Sequence, residues 1–259
     1  LKKLLQISNG VALIITIVIN YLSNTGIFGG NTIGGVSGEY RNYFTPAGYA
    51  FSIWGLIYLG LIAFVIYQGR SLFIKTAKDD SLVLQIGWWF VISCIANSLW
   101  VPAWLYGMTG VSVVLMCLLF FSLIKIVVNT RMELDDVPLA KIMFFWWPID
   151  FYSGWIAVAL IANVSAYLTK ISWDGFGISE ISWAIIMICV AGAVNLFMTW
   201  TRNMREFGLV GVWALVAVAV ANVDGVLSIF ISAIIMSIIV FISSTTHAYK
   251  NRKSFPLKF

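Results

Sequence analysis

Amide side chains stand inside otherwise apolar stretches of this chain, at Asn20, Asn97, Asn163, Asn195 and Asn222, and 12 tryptophans accompany them. An amide surrounded by hydrocarbon has to hydrogen-bond to a neighbouring helix or to a guest. An indole offers a flat apolar face and a single N–H. Such a set is suited to stacking and orienting a molecule rather than to making or breaking bonds. Asp150 is the most unusual charge: it falls well inside an apolar stretch, just after Pro148. An ionised carboxylate is costly there, so it is protonated, paired or reached by water, and a gating or proton role stands beside a simple polar contact.

Other chemistries are excluded by what is missing. His247 is the single histidine and has no Cys or carboxylate at ligand spacing, so neither a metal site nor a Ser-His-Asp triad is readable. Cys94, Cys117 and Cys189 lie inside apolar runs without CxxC spacing and read as small packing residues. Gly29 to Gly35 follows no strand, so phosphate cradling is unsupported. The lysines sit at the ends of apolar runs or in connections, which removes a buried Schiff-base lysine.

The elements that position these residues follow from composition. Of 259 residues, 61% are hydrophobic and 10% charged, and the mean hydropathy is +0.93, whereas soluble domains carry about 25% charge. Unbroken runs such as Val113 to Phe121 fit helices rather than the alternation of a barrel. The fold class expected is therefore all-α, a polytopic membrane helical bundle of about eight spans. At about 20 residues per crossing, the spans run Leu4 to Leu22, Tyr49 to Tyr67, Leu82 to Leu105, Val111 to Val128, Leu139 to Leu168, Ile181 to Trp200, Phe207 to Ala221 and Val226 to Ser243. Lys2 and Lys3 followed by apolar residues resemble a signal peptide, but no small-residue cleavage site follows, and the segment is kept as the first span.

Charge supports the count. All the 16 basic residues except Arg41 and Lys170 fall in the termini and the even-numbered connections or, as Lys125 and Lys141 do, within a turn of such a connection. The positive-inside rule then puts both termini on the cytoplasmic side, in a bacterial inner membrane. The net charge of +5 is scattered and forms no nucleic-acid tract. The first connection, Ser23 to Ala47, is long and glycine-rich, has no helical apolar face, and is expected to be irregular, serving either as a lid or as a tether.

Depth sorts the tryptophans. Trp88, Trp89, Trp146, Trp147, Trp183 and Trp200 are expected at the bilayer surface, and Trp173 and Phe176 of the fifth connection suit the same interface. Trp155 falls near mid-bilayer, and Trp54 and Trp100 lie inside the outer ends of their spans. Three indoles from three helices could line one cavity beneath the first connection. A flat, largely apolar ligand such as a porphyrin or sterol gains area burial, stacking and a few orienting hydrogen bonds in such a place. Asn195 and Asn222 are read instead as interhelical hydrogen-bonding groups.

Three motifs carry a resemblance. Thr45-Pro46-Ala47-Gly48-Tyr49-Ala50-Phe51-Ser52-Ile53-Trp54, Asn97-Ser98-Leu99-Trp100, and Tyr152-Ser153-Gly154-Trp155 with Asn163 are similar to the second-, third- and fifth-helix patterns of the tryptophan-rich sensory proteins, the TspO or translocator protein family. The likeness covers about the first 170 residues. It implies a TspO-like five-helix membrane bundle over 1–170; the three additional transmembrane helices expected over 171–259 have no counterpart in the five-helix proteins. It also implies binding of tetrapyrroles such as protoporphyrin or haem, or of sterol-like molecules, and often a homodimer. On matching positions the pocket falls to Phe51, Trp54, Asn97, Trp100, Trp155, Ala159, Ala162 and Asn163, covered by the loop ending at Tyr40 to Pro46. Ala47 stands where the family has a second proline, and Phe151 where it has a proline ahead of Tyr152.

The reading expected from these residues is a membrane binding protein of sensor or translocator type, with lipid and a hydrophobic small molecule as partners. A secondary transporter using Asp150, and a structural subunit of a larger membrane complex, are the alternatives. No catalytic residue is identified, and nothing separates binding from turnover.

Overall fold

The structure, a computed structural model, describes residues 1–74 and 81–250. Among the described residues every regular element is helical. The basic residues Lys75, Lys78, Arg252, Lys253 and Lys258, which contribute to the charge segregation, lie outside the described residues.

The elements in chain order are α1 (Lys2–Leu22), α2 (Ile33–Glu39), a 3₁₀ turn Gly48–Ser52, α3 (Ile53–Gly69), α4 (Ser81–Ile86), α5 (Trp89–Leu105) and α6 (Thr109–Asn129). Then come α7 (Leu139–Lys141), a π turn Ile142–Trp146, α8 (Trp147–Lys170), α9 (Glu180–Arg202), α10 (Arg205–Ala221) and α11 (Leu227–Lys250). Among the described residues, six helical stretches are long and apolar enough to cross a membrane: α1, the stretch from Gly48 through α3, α6, the stretch from α7 through α8, α9 and α11. The remaining two expected spans correspond to α5 and α10, of 17 residues each. At 1.5 Å per residue each is about 25 Å long, slightly less than the ~30 Å hydrocarbon core.

Three sequence expectations are corrected. The span expected over Leu82 to Leu105 is broken between α4 and α5, because Gly87 takes φ +57° and turns the chain. The first connection is not wholly irregular: α2 forms within it because Ile33 and Val36, one turn apart, are both buried. Trp146, expected at the bilayer surface, is buried to 4% exposure. Its helix carries a π turn just before Pro148. A proline cannot donate the backbone bond an α-helix requires, and a local widening accommodates that loss.

The chain divides into two compact units, Leu1–Val36 with Trp54–Ser153, and Ser37–Ile53 with Gly154 onward. In the first, α1 packs on α4 and α5, and α4 and α5 on α6. The α1–α5 seam is polar at its centre, where the Thr16 hydroxyl donates to the Cys94 carbonyl at 3.2 Å and lies 3.1 Å from the Ser98 hydroxyl. Farther along α1, the Gln6 amide donates to the Gln68 carbonyl at 2.7 Å and the Gln68 amide donates back to the Gln6 carbonyl at 3.0 Å. Opposite Pro148 stands Gly60, where a Cβ would lie 3.3 Å from the proline ring, so the glycine lets α3 approach without pressing on the ring.

In the second unit α9, α10 and α11 pack on one another. Small residues permit it: any Cβ at Gly192 would collide with Met236, and one at Gly211 with the Asn195 amide. The segment Ser37–Ile53 is strapped along α10. The Ala47 N–H donates to the Ala217 carbonyl at 2.9 Å, the Trp213 indole to the Ala50 carbonyl at 3.2 Å, and the Arg41 guanidinium to the Ala221 carbonyl at 3.0 Å.

Candidate functional site

Of the pocket residues read from sequence, Trp54, Asn97 and Trp100 belong to the first unit, and Phe51, Trp155, Ala159, Ala162 and Asn163 to the second. Each group has its own geometry.

In the first unit the focus is Tyr152, a fully buried side chain near the start of α8. The Asn97 amide donates to its hydroxyl oxygen at 2.9 Å, and the carbonyl oxygen of Asn97 accepts from the Asn20 amide at 2.7 Å. The order Asn20, Asn97, Tyr152 therefore joins α1, α5 and α8 through buried polar atoms. Trp54 meets the same tyrosine, ring edge to face at 5.8 Å, and is stacked on Tyr58 at 5.3 Å with 19° between planes. Trp54 and Tyr58 are half-buried, so this stacked pair forms a ledge with apolar surface still open. Trp100, one turn after Asn97, is stacked on Trp104 at 6.0 Å, and both are buried. The Trp104 indole donates to the Ile33 carbonyl at 3.2 Å, which ties α2 to α5.

In the second unit Phe51, held by the 3₁₀ turn before α3, meets Trp155 edge to face at 6.0 Å. Trp155 and Asn163 are buried, while Ala159 and Ala162 are half-buried. Gly154, beside that tryptophan, has no room for a Cβ, which would lie 3.0 Å from the Phe207 carbonyl oxygen. Asn222 donates to the Tyr43 carbonyl at 3.1 Å and so holds the strap segment. Asn195 instead bonds its own helix, at the Ala191 carbonyl, because the glycine facing it across α10 offers no side-chain partner.

The second unit also contains a cavity of about 660 Å³. Its α8 wall begins at Val164, the residue after Asn163, and it is lined by Tyr43 and Phe44 of the strap, Ser165 and Leu168 of α8, and Trp173 and Trp183 on either side of the α8–α9 turn, among others. Of the eight pocket residues read from the motifs, none lines it. The turn is tightly made. Asp174 accepts from the Phe176 N–H at 3.1 Å, and the Trp183 indole donates to the Gly175 carbonyl at 2.8 Å. Phe176 lies in the left-handed region at φ +54° with its ring 81% exposed, as suits the interface expected from sequence.

Sequence reading missed two things. One is the polar stripe of α1, where Gln6, Asn9, Thr16 and Asn20 are all buried. With the buried Leu13 their spacing alternates three and four, the period of one helix face, and that was the available signal. The other is Trp183, expected at the bilayer surface yet half-buried as a wall of the cavity; no periodicity distinguishes these two roles. Asp150 is completely buried in the first turn of α8, four residues after the π turn ends.

Comparison with known proteins joins this geometry to a family. The family model described as TSPO-like protein matches residues 6–246, from α1 into α11. No curated protein and no solved structure matches the chain. The match covers nearly all of the sequence: the chain belongs to the TSPO-like protein family and is an integral membrane protein built of helices.

Proposed function

We propose that this protein is a membrane binding protein of sensor or translocator type for a flat hydrophobic molecule, a porphyrin or haem or a sterol-like compound. The observation that carries the reading is the convergence of Trp54 and Asn97 on Tyr152, which leaves the stacked Trp54–Tyr58 pair half-open. A planar guest gains ring stacking and close dispersion contact on that ledge in place of mobile lipid chains. Asn97 already uses its carbonyl oxygen and one N–H internally. It therefore contributes by fixing the tyrosine hydroxyl and by its second N–H. Trp100 is proposed as a further binding residue of the first unit, and Phe51, Trp155, Ala159, Ala162 and Asn163 as binding residues of the second, on the strength of the family motifs.

Purified protein in lipid nanodiscs tests this: protoporphyrin is expected to quench tryptophan fluorescence saturably. Trp54→Leu and Trp155→Phe are each expected to weaken the apparent affinity by about tenfold, the scale of one aromatic contact. Linear, unsaturable quenching, unchanged by either substitution, removes porphyrin from the reading. The site of action proposed is a bacterial inner membrane with both termini cytoplasmic, as the basic residues imply.

A transporter is the second reading, favoured by one observation. Asp150 is fully buried directly after a π turn and Pro148, and transport sites are often built on interrupted helices beside an intramembrane acid. Uptake of a hydrophobic amine or acid into proteoliposomes that falls in Asp150→Asn supports transport; unchanged uptake removes that residue's role.

A further inference from the structure

The cavity at the α8–α9 turn is distinct from the aromatic ledge, and its lining is charged with one sign. Among the described residues, Asp174 and Glu180 are part of the lining, and no lysine or arginine is. Lys170, at the end of α8, lies over the ring of Tyr40 at 5.6 Å instead. The Trp173 and Trp183 rings are 5.2 Å apart and tilted by 51°, so two π faces meet at a corner. The bond from the Trp183 indole to the Gly175 carbonyl fixes that corner. Leu168 and Met187 supply the apolar wall, and Tyr43 a further ring.

Each of these features selects the same kind of guest. The faces of indole rings attract a cation through their quadrupole, most strongly when the cation has shed part of its water. The two carboxylates at the rim complement a positive charge and repel phosphate or carboxylate groups. The negative end of the α8 dipole is offset by Lys170 in its last turn and the positive end of α9 by Glu180 in its first turn, so the selection rests on the rings and the carboxylates of the lining rather than on the helix ends. The volume falls within the ~300–1,000 Å³ usual for small-molecule sites.

We infer that this cavity is a second binding site, for a hydrophobic organic cation: a quaternary or protonated amine whose nitrogen lies between the Trp173–Trp183 corner and the Asp174 and Glu180 carboxylates, with its apolar body directed to Leu168 and Met187. The same trimethylammonium chemistry occurs in choline phospholipid headgroups. There, however, the phosphate beside the nitrogen would meet the acidic rim, which favours a free amphiphilic cation. The inference is independent of the proposed porphyrin site.

A matched pair of probes isolates the charge. N-methylacridinium and neutral acridine have nearly the same shape, and each can be titrated at mildly alkaline pH against the fluorescence of protein in nanodiscs. Saturable quenching by N-methylacridinium is expected, with acridine weaker by about tenfold, the order of one partly screened charge interaction. Glu180→Gln and Asp174→Asn preserve the size of each side chain, and the amide oxygen introduced by Asp174→Asn can still accept from the Phe176 N–H. Each is expected to lower the affinity for the cation several-fold and to leave acridine unaffected. Equal binding of the two probes, or carboxylate variants indistinguishable from the parent, overturns the proposal. Nanodiscs of phosphatidylethanolamine and of phosphatidylcholine at the same anionic fraction separate the sources. Equal affinity in both supports a free cation, whereas loss of binding in phosphatidylcholine shows that the headgroup occupies the site and overturns the free-cation assignment.

Discussion

Tyr152 is the side chain on which the first unit's polar and aromatic contacts meet, and its removal separates their contributions. Tyr152→Phe keeps the ring against Trp54 but leaves the Asn97 N–H without its acceptor. A loss of about 1 kcal/mol is expected, typical for a single buried hydrogen bond and at the upper part of the range within membranes. It is read as a lowered midpoint of thermal unfolding in detergent; no change would mean that Asn97 finds another acceptor. Gly175 defines the cavity in the same way. It has φ +69°, and a Cβ there would lie 3.1 Å from the Trp183 indole nitrogen. Gly175→Ala is expected to destabilise the fold by about 1 to 3 kcal/mol and to weaken N-methylacridinium binding. The tryptophan and asparagine identities were legible in sequence because a polar or indole group stands out in apolar runs. The Asn20–Asn97–Tyr152 order was not, because a one-dimensional pattern does not show which helix faces which.

At the scale of elements, the helices were legible where apolar runs are long and uninterrupted, as over α6 and α11. Breaks were not. Gly87 reads as one more small residue in an apolar run, and only its left-handed backbone shows that it ends α4. Ile33 and Val36 are too few to announce α2 amid the glycines around them, and the burial that makes that helix stable is tertiary. Gly60 carries the close approach of α3 to Pro148. Gly60→Leu is expected to cost about 1 to 3 kcal/mol by overpacking, and Gly60→Ala less, in the same unfolding measurement. Equal stability of all three would mean that α3 can withdraw freely from the proline.

The whole molecule was legible in class and in family, since hydropathy, span length and motif order act over many residues and tolerate local error. Its division at Val36 and Ser153 was not, because it cuts through α2 and α8 and depends on packing rather than on composition. Orientation is tested by thiol labelling. Asp136 and Asp224 are exposed, in the connections after α6 and after α10. With an impermeant maleimide on intact cells, Asp224→Cys is expected to label and Asp136→Cys only after permeabilisation; the reverse pattern would invert the proposed topology. The central claim is that a planar hydrophobic guest stacks on the Trp54–Tyr58 ledge. Native mass measurement of the protein mixed with protoporphyrin tests it most directly. One porphyrin retained per chain, lost in the folded Trp54→Leu variant, is the expected result; no retained porphyrin, or equal retention by the variant, would contradict it.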